Sequence, residues 1–290
     1  MYHGTSLHAA RVLITGGARG LGRQLALEAA RRGADVTIWD LDQARAEAVV
    51  AEIRALGATA VAARVDITDQ EQVTAAAQPA GPQDVVINNA GIITGKRLLE
   101  ASDEEIRRTF ELNTLALFWV TRAFLPGMIE RDRGTVATIA SAAGLAGVAR
   151  QTDYSASKWA ALGFTESLRA ELRGDSRGVG TFVMCPFYID TGMFDGVTTK
   201  FPRLLPILKE EEVAHQALSA IESGKEQIIT PWLARLLPAA RILPVRLFDR
   251  GLDLLGINHT MDGFVGHHDR ASPGVRGADR QTPEEHDAGR

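Results

Sequence analysis

The feature that most constrains the fold is a regular alternation of short apolar runs with segments of helical periodicity. The apolar runs are continuous in Val, Ile and Ala, which is typical of strands buried on both faces of a parallel sheet. The first two helical segments end at a glycine, where a helix C-cap is expected. The pattern predicts an α/β fold with a single doubly wound parallel sheet of about seven strands and helices on both faces. The predicted strands are 11–15, 35–40, 59–68, 84–91, 134–144, 178–186 and 226–231.

Composition excludes several classes of protein. The 290 residues carry a net charge of −4, so no overall basic field favours nucleic acid as a partner. The single cysteine, Cys185, excludes an internal disulfide. Only His267 and His268 among the histidines are spaced as metal ligands can be, so no metal site is predicted. A reducing cytoplasm is the expected location. We expect neither a signal peptide nor a membrane span, because no apolar run reaches about 18 uncharged residues.

A glycine-rich loop joins the first predicted strand to the first predicted helix. Its sequence, TGGARGLG, has the spacing T-G-x-x-x-G-x-G. Glycines at such a turn let the backbone approach a pyrophosphate at the positively polarised helix N-terminus, although they also occur there for packing alone. The loop predicts a Rossmann-type dinucleotide site, whose members here are Gly16, Arg19, Gly20, Leu21 and Gly22.

Acidic residues at the ends of the next two strands bear on the choice of dinucleotide. Asp40 ends the second strand, where a carboxylate accepts hydrogen bonds from the adenosine ribose hydroxyls and repels a 2′-phosphate. Asp40 therefore favours NAD over NADP, whereas Arg19 in the glycine loop is within reach of a phosphate and favours NADP. Asp66, at the end of the third strand, suits either the adenine amino group or an ordinary turn.

Tyr154 and Lys158 lie four residues apart in the segment TDYSASKWAALGF, so a helix places them on one face. A solvated surface pair is the usual meaning of this spacing. The alternative is a functional pair in which the lysine stabilises a tyrosine phenolate that acts as a base. A tyrosine has a pKa of about 10, so it needs roughly 4 kcal/mol of phenolate stabilisation to act as a base near neutral pH. An ammonium about 4 Å away, at an effective dielectric near 20, supplies roughly that much.

Five motifs, in order and spacing, resemble the short-chain dehydrogenase/reductase family over roughly residues 10 to 231. They are TGGARGLG, NNAG at 88–91, Asn113 in ELNT, Ser141 in IASAAG and YSASK at 154–158. The stretches VTIWD and LALFWVTRAFLPGM are most similar to the branch of retinol dehydrogenases and 17β-hydroxysteroid dehydrogenases. The resemblance implies an oxidoreductase that transfers a hydride between NAD(H) and an alcohol or carbonyl.

The resemblance also implies individual roles. Tyr154 is expected to be the general acid and base, with Lys158 lowering its pKa and holding the nicotinamide ribose. Ser141 is expected to orient the substrate oxygen, and Asn113 to anchor a water in a proton relay. The remaining cofactor contacts are expected from Asn89, Gly91, Ile189 and Thr191.

The chain departs from the family after the sixth strand. The family usually has Pro-Gly there, whereas this sequence has Pro186 followed by Phe187 and Tyr188. Both aromatic residues are bulky for a position beside the nicotinamide, so we expect them to shape the substrate pocket. The departure leaves the Tyr154 and Lys158 motif intact and bears on the size of the pocket.

We expect residues 1–268 to form one dinucleotide-binding catalytic domain, followed by a disordered tail at 269–290 that has almost no large apolar residue. The family's substrate lid falls at about 192–212. Met193 and Phe194 begin an apolar wall there, which favours a hydrophobic alcohol or ketone such as a retinoid, steroid or lipid. The same residues would also serve simply to pack the lid down.

Residues 232–268 form a C-terminal amphipathic extension that is broken by prolines. The part at 232–257 suits a bilayer surface, with arginines at the headgroups, but equally suits packing on the domain or on a second subunit. The long helix near 102–128 and the Tyr154 helix resemble the family's dimer-forming pair. A homodimer or homotetramer is therefore expected, either free in the cytoplasm or associated with a membrane.

Two other functions stay open on the sequence. An NADPH-dependent ketoacyl or polar-carbonyl reductase of the same family is supported by Arg19 and opposed by Asp40. A non-catalytic dinucleotide-sensing protein would be expected to lack Tyr154 or Lys158, and this chain has both. A serine hydrolase is disfavoured because Ser141 does not lie in a G-x-S-x-G turn.

Overall fold

A computed structural model of the chain describes residues 2–175 and 178–266. Seven parallel strands form one sheet in the order β3-β2-β1-β4-β5-β6-β7, which confirms the predicted doubly wound architecture. The strands are β1 Arg11–Thr15, β2 Asp35–Asp40, β3 Ala60–Arg64, β4 Val85–Asn88, β5 Gly134–Ile139, β6 Val179–Pro186 and β7 Gln227–Thr230.

Helices cover both faces of the sheet and bury two separate cores. Helices α1, α2 and α7 pack on one face, whereas α3, α5 and α6 pack on the other. The central strands β4, β5 and β6 are buried at every position, which explains why they read as continuous apolar runs. The helices are α1 Gly20–Arg31, α2 Gln43–Ala55, α3 Gln70–Ala80, α4 Asp103–Phe110, α5 Ala116–Glu130, α6 Thr152–Asp175, α7 Glu210–Glu222, α8 Leu237–Ala240 and α9 Val245–Leu254.

Strand β3 is shorter than the predicted 59–68. It ends at Arg64 because the Asp66 side chain accepts hydrogen bonds from the backbone N–H and the hydroxyl of Thr68 and so forms a turn. The first two helices end as predicted, since Gly33 and Gly57 adopt left-handed φ angles of 84° and 81° directly after them. Helix α7, which connects β6 to β7, was not assigned from the sequence.

The predicted long helix near 102–128 is interrupted. A π-helical turn, Glu111–Leu115, separates α4 from α5 and carries Asn113. Of the helices in the described ranges, the run Asp103–Glu130 alone has the length and mean hydropathy of a membrane-crossing segment. One face of α5 packs against the sheet through Val120, Phe124 and Met128, as a core helix does.

The C-terminal extension folds back onto the domain over residues 232–266. Its short helical segments pack against the lid and the loop after β5 in an apolar cluster that includes Ala146, Leu205, Leu252 and Ile257. The tail predicted at 269–290 lies outside the described residues.

Candidate active site

The strands deliver the predicted site residues to one cleft at their carboxyl ends. The cleft has a volume of about 400 Å³. Strand β1 is paired with β2 on one side and β4 on the other, so the strand order reverses there and opens a crevice of the kind that binds dinucleotides. All predicted cofactor and pocket residues line this cleft, whereas Asn113 does not.

The glycine loop is built for close approach of a ligand to the backbone. Gly16 and Gly20 have left-handed φ angles of 65° and 53°. A Cβ atom on Gly22 would overlap the carbonyl oxygen of Gly16 and lie 2.6 Å from Asn89 Nδ2. Helix α1 begins directly after Arg19 without a side-chain cap, so its first N–H groups are suited to a pyrophosphate. These features fit a dinucleotide.

Asp40 is held at the rim of the cleft by two backbone N–H groups. Its Oδ2 accepts from Ala18 N at 3.0 Å and its Oδ1 from Asp42 N at 3.0 Å. Arg19 and Arg45 line the same cleft, and Arg45 Nε lies 3.2 Å from Asp42 Oδ2. The adenosine end therefore carries both a fixed carboxylate and guanidinium groups.

Asp66 serves the turn that was one of its two predicted roles. Its Oδ1 accepts from Thr68 Oγ1 at 2.7 Å and from Thr68 N at 3.0 Å. Asp66 also lines the cleft, so this turn shapes part of its wall.

Tyr154 and Lys158 lie side by side, both 5% exposed. Lys158 Nζ donates to Ile139 O at 2.9 Å and lies 5.7 Å from the centre of the Tyr154 ring. Ser141 lies two residues after the end of β5, where its Oγ accepts from Ala143 N at 3.1 Å and is close enough to the Tyr154 phenol to influence its pKa. The helix and the strand end thus bring the three side chains together.

Burial dominates the protonation of this pair. It raises the pKa of Tyr154 above the usual 10, an effect that the neighbouring Ser141 hydroxyl partly opposes and the neighbouring Tyr188 phenol reinforces. Burial also lowers the pKa of Lys158 to about 8. In the protein alone the Tyr154 pKa is shifted in the direction opposite to that expected from its spacing to Lys158, because the spacing does not report the cost of desolvating both charges.

Asn113 lies behind the cleft wall. Its Oδ1 accepts from Ile92 N at 2.9 Å, and its Nδ2 donates to Ile92 O at 2.9 Å and to Ser157 Oγ at 3.0 Å. The π-helical turn directs this amide towards the loop after β4, as such turns commonly do at functional sites. The side chain holds that loop in place and is not itself exposed in the cleft.

The loops after β4 and β6 complete the cofactor side. Asn89 Nδ2 donates to Thr15 O at 3.0 Å and to Gly16 O at 3.1 Å, which ties β4 to the glycine loop. A Cβ on Gly91 would lie 3.4 Å from Lys158 Nζ. The segment after β6 pairs with residue 208 through Ile189, and Thr191 packs against Gly20.

Aromatic rings surround the Tyr154 phenol. The Phe194 ring centre lies 6.2 Å from that of Tyr154 and 5.1 Å from that of Tyr188. The Tyr188 hydroxyl accepts from Gln151 Nε2, which also lines the cleft, at 2.7 Å and is hydrogen-bonded to Thr260 Oγ1 at 2.8 Å. Met193 and Phe187 also line this part.

The far end of the cleft was missed by sequence reasoning. Its wall is aliphatic and comes largely from the C-terminal extension. The extension was recognised as amphipathic, but the spacing of its leucines does not say which surface they cover. The residues concerned are Leu233, Ala234, Leu237, Leu252, Leu255 and Ile257.

Comparison with known proteins identifies the family. Residues 10–201 match the family model for short chain dehydrogenases. The chain belongs to the short-chain dehydrogenase family. Human epidermal retinol dehydrogenase 2 is 41% identical over 261 residues, covering 88% of this chain and 84% of that protein. Human 17-beta-hydroxysteroid dehydrogenase 13 is 37% identical over 241 residues, covering 81% and 79%.

Solved structures of the same family share the fold. A short chain dehydrogenase/reductase from Burkholderia phymatum in complex with NAD superposes with a TM-score of 0.73 at 25% identity, covering 86% of this chain and 96% of that one. A metagenomic short-chain oxidoreductase in complex with NADP gives 0.66 at 26% identity, covering 78% and 98%. The short-chain dehydrogenase described here is thus an oxidoreductase with a dinucleotide-binding fold, of the branch that includes retinol and hydroxysteroid dehydrogenases.

The glycine cradle predicts a specific defect. Gly22→Ala should weaken NADH binding at least about tenfold, because the added methyl group forces the loop away from the helix N-terminus. Fluorescence titration with NADH measures the effect. Gly251→Ala is the matched control, since nothing lies within 4 Å of a Cβ there. Equal affinity in both variants would contradict this account of the loop.

Proposed function

We propose that this dehydrogenase oxidises a hydrophobic primary or secondary alcohol with NAD⁺, or reduces the matching carbonyl with NADH, using Tyr154 as general acid and base. The observation that carries the proposal is the composition of the cleft along its length. It runs from the glycine loop and Asp40, past Tyr154, Lys158 and Ser141, to an aliphatic end.

The proton transfer is assigned to the buried pair. In oxidation, the Tyr154 phenolate takes the proton of the alcohol while Ser141 Oγ hydrogen-bonds the substrate oxygen; in reduction, Tyr154 returns the proton. Lys158 stays fixed by Ile139 O and favours the phenolate through its charge. The bound dinucleotide supplies the hydride acceptor or donor and, when oxidised, a positive ring charge.

NAD is the proposed cofactor. The Asp40 carboxylate, held by two backbone N–H groups, is placed to accept from ribose hydroxyls and to repel a 2′-phosphate. Arg19 and Arg45 at the same rim support the second candidate, an NADPH-dependent ketoacyl or polar-carbonyl reductase. A dinucleotide sensor without activity finds no support in a site that keeps both Tyr154 and Lys158.

The substrate class is proposed from the far end of the cleft. Leucine and isoleucine side chains there offer burial and few hydrogen-bonding groups, which favours a retinoid, steroid or long-chain lipid over a sugar. The relatives named as retinol and 17-beta-hydroxysteroid dehydrogenases support the same class.

The outer side of the extension supports peripheral membrane contact. Ile242, Val245 and Leu254 are 86%, 73% and 70% exposed. Val245 and Leu254 lie on α9 together with Arg246 and Arg250, and Ile242 lies just before that helix. Apolar side chains interspersed with arginines suit the headgroup region of an anionic bilayer. A cytoplasmic enzyme docked this way would take its substrate from the membrane.

A homodimer or homotetramer is proposed from exposed apolar side chains on the interrupted helix and on α6. Leu115 and Phe118 on the interrupted helix, and Trp159 on α6, are large apolar side chains that remain exposed. Both helices belong to the pair that the family uses for dimerisation.

The proposed activity is tested by cofactor and substrate preference together. We expect tighter binding of NADH than of NADPH, and NAD⁺-dependent oxidation of all-trans-retinol or a 17β-hydroxysteroid in preference to a short polar alcohol. Tyr154→Phe should lower kcat about 10²-fold or more, because the proton acceptor is lost. The rate of oxidation should rise with pH, since burial raises the pKa of Tyr154 and only the phenolate accepts the proton.

Tyr2→Phe is the matched control, because Tyr2 bonds Thr135 on β5 and lies outside the cleft. A preference for NADPH, or for the polar alcohol, would support the reductase candidate instead. Full activity of Tyr154→Phe would contradict the assigned chemistry.

Membrane contact is tested by co-sedimentation with vesicles of phosphatidylserine and phosphatidylcholine. The double variant Ile242→Ser, Val245→Ser should bind about tenfold more weakly, because it removes apolar area from the docking side. Leu99→Ser is the control, since Leu99 is exposed but lies outside the extension. No sedimentation of the unmodified protein would contradict the membrane proposal.

A further inference from the structure

Asp153, the residue before Tyr154, is a buried carboxylate that the proposed chemistry does not use. It is 6% exposed and lies in the first turn of α6, where the helix dipole favours a negative charge. In the described part of the chain its partners are hydroxyl groups and not a cation. A buried carboxylate without an ion pair is costly to maintain, so its contacts call for an explanation.

Each oxygen of Asp153 reaches a different segment. Oδ1 accepts from Thr94 Oγ1 at 3.0 Å, and Oδ2 accepts from Thr109 Oγ1 at 3.0 Å. Thr94 lies in the loop after β4, three residues beyond Gly91. Thr109 lies in the last turn of α4, directly before the π-helical turn that carries Asn113. Asp153 thus joins the start of α6 to both segments.

A second set of hydrogen bonds joins the same segments on the other side of Tyr154. Asn113 bonds both backbone groups of Ile92 and donates to Ser157 Oγ. The Ser157 hydroxyl in turn donates to Tyr154 O at 2.8 Å. Residues 153 and 157, which precede and follow Tyr154 in the same helical turn, therefore hold that turn in place. Their partners lie in the loop after β4, on α4 and on the π-helical turn that follows α4.

We propose that Asp153 is a positioning residue for Tyr154, acting as a clamp that fixes the first turn of α6 against the β4 loop and α4. The proposal rests on the proposed function of Tyr154 as acid and base. Proton and hydride transfer require the phenol, the Ser141 hydroxyl and the substrate oxygen to be aligned, and small displacements cost large factors in rate. The clamp places the phenol through hydrogen bonds and not through the charge of the carboxylate.

The conservative amide distinguishes hydrogen bonding from charge. In Asp153→Asn, Oδ1 still accepts from Thr94, and Nδ2 donates to Thr109 Oγ1. The Thr109 hydroxyl then donates to Glu105 O, which already lies 2.9 Å away. Asp153→Ala removes both contacts, and Thr94→Val removes one donor while keeping its shape.

The test measures kcat, KM and NADH affinity for these variants, with exposed Glu171→Ala on the same helix as the control. We expect Asp153→Ala to lower kcat about 10–100-fold and Thr94→Val by a smaller factor, with KM and the NADH Kd within about threefold. Asp153→Asn should keep at least about a third of kcat, with an unchanged pH profile. If Asp153→Asn is as impaired as Asp153→Ala, or if Asp153→Ala is fully active, the proposal is wrong.

An NMR measurement that does not depend on enzyme activity distinguishes a failure of this proposal from a failure of the proposed function. The chain has three tyrosines, so labelling with [¹³Cζ]tyrosine gives three NMR signals that Tyr154→Phe assigns. Thr94→Val, and Asp153→Ala if it folds, should shift the Tyr154 signal and leave those of Tyr2 and Tyr188 in place. An unmoved Tyr154 signal overturns the clamp. An inactive unmodified protein with a moved signal overturns only the proposed reaction.

Discussion

The site depends on two ionisable side chains that are kept together out of water. Lys158 retains its place because its ammonium donates to the carbonyl oxygen of Ile139, the last residue of β5. Tyr154, one helical turn earlier, is equally buried, and burial disfavours the charged form of each group. The protein alone therefore favours the protonated phenol, and the proposed proton transfer depends on what favours the phenolate when substrate and dinucleotide are bound.

The sheet supplies the geometry that this pair requires. Four of the strands that end at the cleft contribute one element each: the glycine loop follows β1, Asp40 ends β2, Asn89 follows β4 and Ser141 follows β5. Two side-chain amides then fix the loops relative to one another: Asn113 bonds Ile92 from behind the cleft wall, and Asn89 bonds Gly16 from within the cleft lining. The proposed catalytic groups are thus held by hydrogen bonds that join the surrounding loops to one another.

Much of the fold and of the cofactor side of the cleft could be predicted from the sequence, because the glycine loop and the strand ends are determined by residues that are neighbours in the chain. The alternation of apolar runs predicted the seven-stranded sheet, and Gly33 and Gly57 end their helices as predicted. Desolvation, in contrast, depends on how the whole domain packs, so the direction of the Tyr154 pKa could not be obtained from its spacing to Lys158. The π-helical turn at Asn113 also leaves no pattern in the sequence.

The C-terminal extension illustrates the same limit. Its composition predicts an amphipathic segment, but only tertiary contacts show that Leu237 and Leu252 line the cleft while Ile242 and Val245 stay exposed. One segment therefore forms the end of the pocket and presents an apolar outer side. This arrangement links the proposed substrate class to the proposed membrane contact through the same segment of the chain.

The central claim is that the Tyr154 phenol is the ionisable group on which the reaction depends. The most direct measurement is a spectroscopic pH titration of tyrosine ionisation in the unmodified protein and in Tyr154→Phe, with and without NAD⁺. The account predicts that the difference spectrum reports a pKa above 10 in the protein alone and that NAD⁺ lowers it by about two units or more, because a positive charge is brought near the phenol. A titration of Tyr154 that NAD⁺ does not change would contradict the account.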